Sequence, residues 1–202
     1  AKVSTKLSVL ENLVKRVDVL VLGGGMANTF LLADGHDIGA SLVEADMTET
    51  ASGIVRTAND HGCRLILPHD FCVAKALASD VDTRIAKTGD VRVDDMILDA
   101  GPESAATAIA VLSDCRTIVW NGPMGAFEFP PFDAATNALA QAVAARTKND
   151  GVMSVAGGGD TLAALANAGV SDDISCISTA GGAFLEWLEG RTLPGIEALR
   201  RA

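Results

Sequence analysis

The segment Val152–Gly169, VMSVAGGGDTLAALANAG, contains the pattern that decides the fold. It begins with an apolar run, turns at three consecutive glycines and continues with the spacing of a helix. Glycine lets a ligand approach the main chain closely, and a single carboxylate, Asp160, follows the last of the three. The segment therefore predicts a strand, a tight turn and a helix, with one acidic side chain at the turn.

The same succession of strand, glycine turn and helix recurs along the chain. Glycine turns fall at residues 23–25, 122–125, 157–159 and 181–182, each after a short apolar run. Strands that are apolar at consecutive positions are typical of a parallel sheet covered on both faces. The sequence predicts an α/β fold: a doubly wound, mostly parallel sheet with helices on both faces, a Rossmann-like three-layer sandwich. Such sheets bind ligands at the carboxyl ends of their strands, where these glycines fall.

The pattern weakens between residues 70 and 95, where we expect a strand, a loop and an edge hairpin. The chain has 202 residues, 49% of them apolar, which predicts one large domain over residues 1–202, or one domain with small appendages. No apolar stretch approaches the roughly 18 residues of a membrane span. The net charge of −10 disfavours broad binding to nucleic acid or to an anionic membrane. A few lysines and main-chain N–H groups can still form a local site for a small anion.

The cysteines and the first residues of the chain indicate the cellular compartment in which the protein works. Cys63, Cys72, Cys115 and Cys176 form no CxxC motif, so free thiols in a reducing cytosol are favoured over disulfides. The opening Ala1-Lys2-Val3 lacks the charged-then-apolar progression of a signal peptide. We expect a cytoplasmic protein, and a chain that lacks the front of a longer one.

Phosphate is the ligand that the glycine turns favour. A helix N-terminus offers unpaired N–H donors and partial positive charge. Lys2 and Lys6, four residues apart, can point the same way, although taken alone the pair is better explained as two solvated lysines. Tight packing explains any one such turn equally well, but several at one sheet edge favour a phosphate or nucleotide site. A P-loop enzyme and an ordinary dinucleotide site are disfavoured, since neither GxxxxGK[ST] nor GxGxxG is present.

Three residues near the glycine turns, two acidic and one a threonine, have two interpretations each. Asp160 is either a Mg²⁺ ligand beside phosphate oxygens or the N-cap of the following helix. Thr161 either caps that helix or binds phosphate through its hydroxyl or N–H group. Glu128, in GPMGAFEF, either accepts hydrogen bonds from ribose hydroxyls or is an ordinary surface residue. Nucleophilic catalysis has little support, because no Ser/His/Asp or Cys/His grouping stands out.

Six segments, in order, resemble the C-terminal half of phosphoglycerate kinase: AKVSTK, GGGMANTF, DAGPES, WNGPMGAFE, GGGDT and STAGGAFLEWLEG. The resemblance covers essentially the whole chain. It implies a two-domain hinged enzyme that transfers a phosphoryl group between 1,3-bisphosphoglycerate and ADP. In that family the N-terminal domain, here absent, binds 3-phosphoglycerate, and the C-terminal domain binds Mg-ADP or Mg-ATP.

The resemblance also implies residue roles. Lys6 would contact the nucleotide phosphates, Lys2 the transferring group, and the N–H groups of Gly181 and Gly182 the phosphoryl in flight. Glu128 would hold the ribose. The phosphate and Mg²⁺ turn would consist of Gly158, Gly159, Asp160 and Thr161, with Asp160 on the metal. The adenosine pocket would be shaped by Gly24, Gly25, Leu98, Asn121 and Pro123. The chain departs from the family pattern at Ala180, Cys176 and Ala135.

We therefore expect an isolated, monomeric nucleotide-binding domain that binds Mg-nucleotide, with negligible turnover of its own. A noncatalytic nucleotide-binding module is one alternative. A nicotinamide-dependent oxidoreductase on a similar sheet is a second, and a partner-binding domain whose glycines merely pack is a third.

Overall fold

The computed structural model describes residues 3–200 and shows the predicted α/β fold, with helices that follow strands along the chain. The helices are α1 Val3–Leu13, α2 Gly24–Ala33, α3 Thr48–Asp60, α4 Pro102–Leu112, α5 Ala134–Asp150, α6 Gly159–Asn167, α7 Gly181–Leu188 and α8 Pro194–Arg200. The strands are β1 Val19–Val21, β2 Arg64–Ile66, β3 Asp70–Ala74, β4 Arg84–Lys87, β5 Met96–Ala100, β6 Thr117–Trp120, β7 Met153–Gly157 and β8 Cys176–Ser178. No helix of the described chain is both long enough and apolar enough to cross a bilayer.

The parallel strands form two ladders, one of β1 and β2 and one in the order β6-β7-β8. The sequence predicted a single sheet, but β1 and β6 share no ladder in the described chain. Val21 of β1 and Trp120 of β6 nevertheless pack against one apolar cluster, which includes Ala105 and Leu139. Side-chain packing thus holds the two ladders side by side although their main chains are not paired.

The stretch between residues 70 and 95, where the sequence pattern weakens, contains β3 and β4. These two strands pair antiparallel, with Asp70 opposite Lys87. The loop between them spans residues 75–83. β5 pairs antiparallel with β3, with Phe71 opposite Ala100. The three strands form a separate sheet in the order β4-β3-β5.

Asp70 ties this sheet to α4. Its wholly buried carboxylate accepts hydrogen bonds from the main-chain N–H groups of Ser104, at 2.7 Å, and Glu103, at 3.0 Å. Burial raises the pKa of Asp70, but the hydrogen bonds from Ser104 and Glu103 outweigh it, so that the pKa lies below its ordinary value. The DAGPES motif, residues 99–104, is thereby held at the end of β5.

Helices cover both faces of the three-stranded parallel ladder, and alternating residues of β7 show this. Val155 packs with Val9 of α1 and Phe184 of α7. Its neighbour Ala156 packs in a different cluster, with Ala140 of α5 and Leu165 of α6. Because successive strand residues point to opposite faces, β7 is buried on both sides, as its apolar sequence indicated.

Candidate nucleotide site

The four glycine turns meet at one edge of the molecule. The N–H of Gly24 donates a hydrogen bond to the carbonyl oxygen of Met124 at 2.8 Å, which joins the turn after β1 to the turn after β6. The N–H of Gly122 donates to Oγ1 of Thr161 at 2.7 Å, which joins the turn after β6 to the one after β7. A Cβ at Gly181 would lie 3.5 Å from Cα of Gly158, so the turn after β8 lies beside the turn after β7.

The turn after β7 presents an unencumbered carboxylate. β7 ends at Gly157, and Gly158, with φ +100°, is the N-cap of α6. No side chain caps this helix, and Asp160 is its second residue, so the capping interpretation of Asp160 is wrong. The Asp160 side chain is exposed and has neither a hydrogen bond nor a salt bridge with any residue of the described range 3–200.

Thr161 has a different environment from Asp160. It is 1% exposed, and its hydroxyl oxygen accepts the hydrogen bond from Gly122. Its side chain therefore joins the two turns. Asn121 adds a second link between the same turns, since its Nδ2 donates to the carbonyl oxygen of Gly157 at 2.7 Å.

A cavity of about 1250 Å³ opens at this edge and extends between β1 and β6. Seven of the predicted site residues are in its wall: Gly24, Gly25, Leu98, Asn121, Pro123, Glu128 and Asp160. They come from four separate segments of the chain, and the fold brings them together. Glu128 is exposed, so its carboxylate is open to solvent at the cavity.

The other predicted residues lie beside this wall or beyond what the structure describes. Gly158, Gly159 and Thr161 are at the start of α6, and Gly181 and Gly182 are at the start of α7. Lys6 lies on α1, but its side chain is outside the described part, and Lys2 lies outside the described residues altogether. The location of both ammonium groups therefore stays a prediction.

The comparisons with known proteins agree with the motifs. The family model that describes phosphoglycerate kinase matches residues 1–191. The chain belongs to the phosphoglycerate kinase family. It is 58% identical over 201 residues to phosphoglycerate kinase of Azorhizobium caulinodans, with 100% of this chain and 51% of the relative covered. The phosphoglycerate kinase of Caulobacter vibrioides is 55% identical over 199 residues, with coverages of 98% and 50%.

Solved structures of the family share the fold. The phosphoglycerate kinase of Coxiella burnetii superimposes with a TM-score of 0.92 at 46% identity, covering 97% of this chain and 50% of that one. That of Pyrococcus horikoshii gives 0.80 at 30% identity, covering 99% and 50%. The chain thus spans about half the length of the phosphoglycerate kinases it matches, and the resemblance inferred from the six segments is confirmed.

Asn28 and Leu42 are among the residues of the cavity wall that sequence reasoning missed. Asn28 follows Gly24 and Gly25 on α2 by four and three residues, so it lies on the same helix face, and this spacing was a usable signal. Leu42 lies in the connection after α2 and is 72% exposed. Nothing in the local pattern of that connection marks a binding residue.

Sequence reasoning also missed Asp99, which carries a buried carboxyl group as Asp70 does. It accepts hydrogen bonds at 2.9 Å from the N–H of Ala100 and from that of Ala135 in the first turn of α5. A Cβ at Gly125 would lie 2.3 Å from Oδ1 of Asp99, so the turn after β6 rests directly on this carboxyl group. Burial raises the pKa of Asp99 to about 7, against the opposing effect of the two N–H groups and with a further contribution from Asp133.

We predict that Asp99 makes stability depend on pH in the opposite sense to a salt-bridged aspartate. Its pKa is raised from 3.8 to about 7 in the folded state, so its contribution is complete below pH 4 and declines as pH rises towards 7. The free energy of unfolding of the wild type, minus that of Asp99→Asn, should therefore fall by about 1–3 kcal/mol over this interval. Urea unfolding followed by circular dichroism at several pH values measures the difference.

The exposed residue Asp172 provides the control, since Asp172→Asn should leave the pH dependence of unfolding close to that of the wild type. A wild-type minus Asp99→Asn difference that stays constant, or grows, between pH 4 and 8 would contradict the assignment.

Proposed function

We propose that this chain is the Mg-ADP- and Mg-ATP-binding half of a phosphoglycerate kinase, the glycolytic enzyme that transfers a phosphoryl group between 1,3-bisphosphoglycerate and ADP. One observation carries the proposal: four strand-end glycine turns adjoin one another, beside a cavity whose wall includes Asp160 and Glu128. Family membership supports it, and it argues against the nicotinamide-dependent and merely partner-binding alternatives.

The phosphate end of the nucleotide would lie at the N-terminus of α6. Gly158 and Gly159 leave main-chain N–H groups accessible there, and the helix contributes partial positive charge. Asp160 would hold Mg²⁺, an ion that is usually bound by one or two carboxylates together with substrate phosphates and water. In the described part of the chain no three His, Cys, Asp or Glu residues gather into a metal site of their own, so phosphate and water would supply the remaining ligands.

The transferring group would lie between α6 and α7. Gly181 begins α7 beside Gly158, which brings a second set of helix N-terminal N–H groups close to the first. α1, which carries Lys6, packs on α7 through Val9 and Phe184. Phosphoryl transfer depends mainly on positioning and on neutralisation of charge, and N–H groups, lysines and a metal ion provide both. We assign Lys2, Lys6, Gly181 and Gly182 to this step.

The nucleoside would occupy the cavity at the turns after β1 and β6. Glu128 would accept hydrogen bonds from the ribose hydroxyls. Gly24, Gly25, Leu98, Asn121 and Pro123 would enclose the adenosine, since all five are in the cavity wall. The nucleotide would then span the row of turns, with its base beside α2 and its phosphates beside α6 and α7.

The acceptor substrate is assigned to a separate N-terminal domain, because the chain spans half of its relatives. We propose a cytoplasmic, monomeric domain that binds nucleotide but has negligible turnover alone. The alternative within the same family is a noncatalytic nucleotide-binding module.

The metal assignment predicts the behaviour of Asp160→Ala in calorimetry with ADP. The wild type should bind Mg-ADP more tightly than metal-free ADP and should not bind NAD. Loss of a charged ligand should weaken Mg-ADP binding roughly 10- to 100-fold and remove the dependence on Mg²⁺. Asp172→Ala, at an exposed aspartate, is the matched control. Retention of the full Mg²⁺ effect by Asp160→Ala would refute the metal assignment.

The catalytic assignment predicts the behaviour of a fusion protein. The chain alone should give background rates in a coupled assay with 3-phosphoglycerate and Mg-ATP, because one substrate has no binding domain. Fusion to the N-terminal half of the Azorhizobium caulinodans relative should restore turnover. Kinase activity of the chain alone would contradict the inactive-half proposal. A folded fusion that binds Mg-ADP without turnover would favour the noncatalytic module.

A further inference from the structure

Asn28, a residue of the cavity wall, carries a buried hydrogen-bond acceptor without a partner in the described chain. The residue lies on α2, is 1% exposed and belongs to the cavity wall. Its Nδ2 donates to the carbonyl oxygen of Leu42 at 3.0 Å. Its Oδ1 has no hydrogen-bond partner within residues 3–200.

The hydrogen bond to Leu42 fixes the orientation of the amide. A carbonyl oxygen can only accept, so the atom of Asn28 that faces Leu42 must be the NH₂ group, and the remaining atom is the acceptor. A buried acceptor that loses its hydrogen bond to water is destabilising, and such groups are rare in native proteins. The unpaired Oδ1 therefore points to a donor that arrives with a ligand.

The surroundings of Asn28 in the cavity wall are largely apolar. Gly25, one turn earlier on α2, has no side chain, and a Cβ added there would lie 3.2 Å from Cδ2 of Leu42. Leu98 and Met96 contribute apolar surface to the same wall. Apolar walls with a few well-placed polar atoms are the usual composition of a small-molecule site, in which the polar atoms set orientation and specificity.

We propose that Oδ1 of Asn28 accepts a hydrogen bond from the exocyclic amino group of the adenine base. The inference rests on the proposed nucleotide-binding function. Once adenine is attached to ribose, the exocyclic amino group carries its only N–H donors, so this acceptor has one possible partner on the base. A purine with hydrogen in place of the amino group leaves Oδ1 unpaired. Asn28 is thus a specificity-determining residue that selects for an amino-bearing base.

The test measures by calorimetry how wild type and Asn28→Leu each bind two ligands. One ligand is Mg-ADP, and the other is the Mg²⁺ complex of purine riboside diphosphate, which lacks the amino group. A site built around a polar group rejects an analogue that cannot pair with it. Wild type should prefer Mg-ADP roughly 5- to 100-fold. In Asn28→Leu the two affinities should differ by less than about threefold, because neither ligand then leaves a buried acceptor unpaired. Asn59→Leu, at an exposed position on α3, should keep the wild-type ratio.

Two outcomes would overturn the assignment. The first is an Asn28→Leu variant that retains the full wild-type preference, whether or not both affinities fall by a common factor, which indicates a structural role. The second is a wild type that binds both ligands equally, a result that needs no variant to fold. If wild type binds neither ligand, the proposed nucleotide-binding function itself fails.

Discussion

The hydrogen bonds between neighbouring strand-end turns are the constraint on which the site depends. Gly122 donates to Thr161, and Asn121 donates to Gly157, so the turns after β6 and β7 are fixed to each other by two bonds of 2.7 Å. Gly24 fixes the turn after β1 to the same row. Without these links the turns after β1, β6 and β7 would be separate loops.

Some polar groups of the site hold its turns in place, and others are open to solvent. The hydroxyl of Thr161, the amide of Asn121 and the carboxyl group of Asp99 are all engaged in main-chain hydrogen bonds that hold turns or helix ends. Asp160 and Glu128, in contrast, are exposed at the cavity. Rigid inner groups and accessible outer carboxylates are what a site needs when catalysis depends on positioning and charge more than on a nucleophile.

The sequence predicted the fold class and the turns, because strand-glycine-helix repeats are local signals. It did not predict that β5 would pair antiparallel with β3, or that β1 and β6 would lie in separate ladders, since strand pairing depends on contacts between distant residues. Position alone also left Asp160 open between cap and ligand, and only the geometry of Gly158 excluded the cap. Asn28 and Asp99 were missed because their importance lies in burial and partners, which a linear pattern does not show.

The central claim is that all four turns contact one ligand that carries a polyphosphate. The most direct measurement is a two-dimensional ¹H–¹⁵N correlation spectrum of the chain, titrated with Mg-ADP. The account predicts saturable shifts that concentrate in residues 23–25, 122–125, 157–161 and 181–182 at a single affinity. Shifts confined to one turn, or scattered over the amino ends of the parallel strands as well, would contradict it.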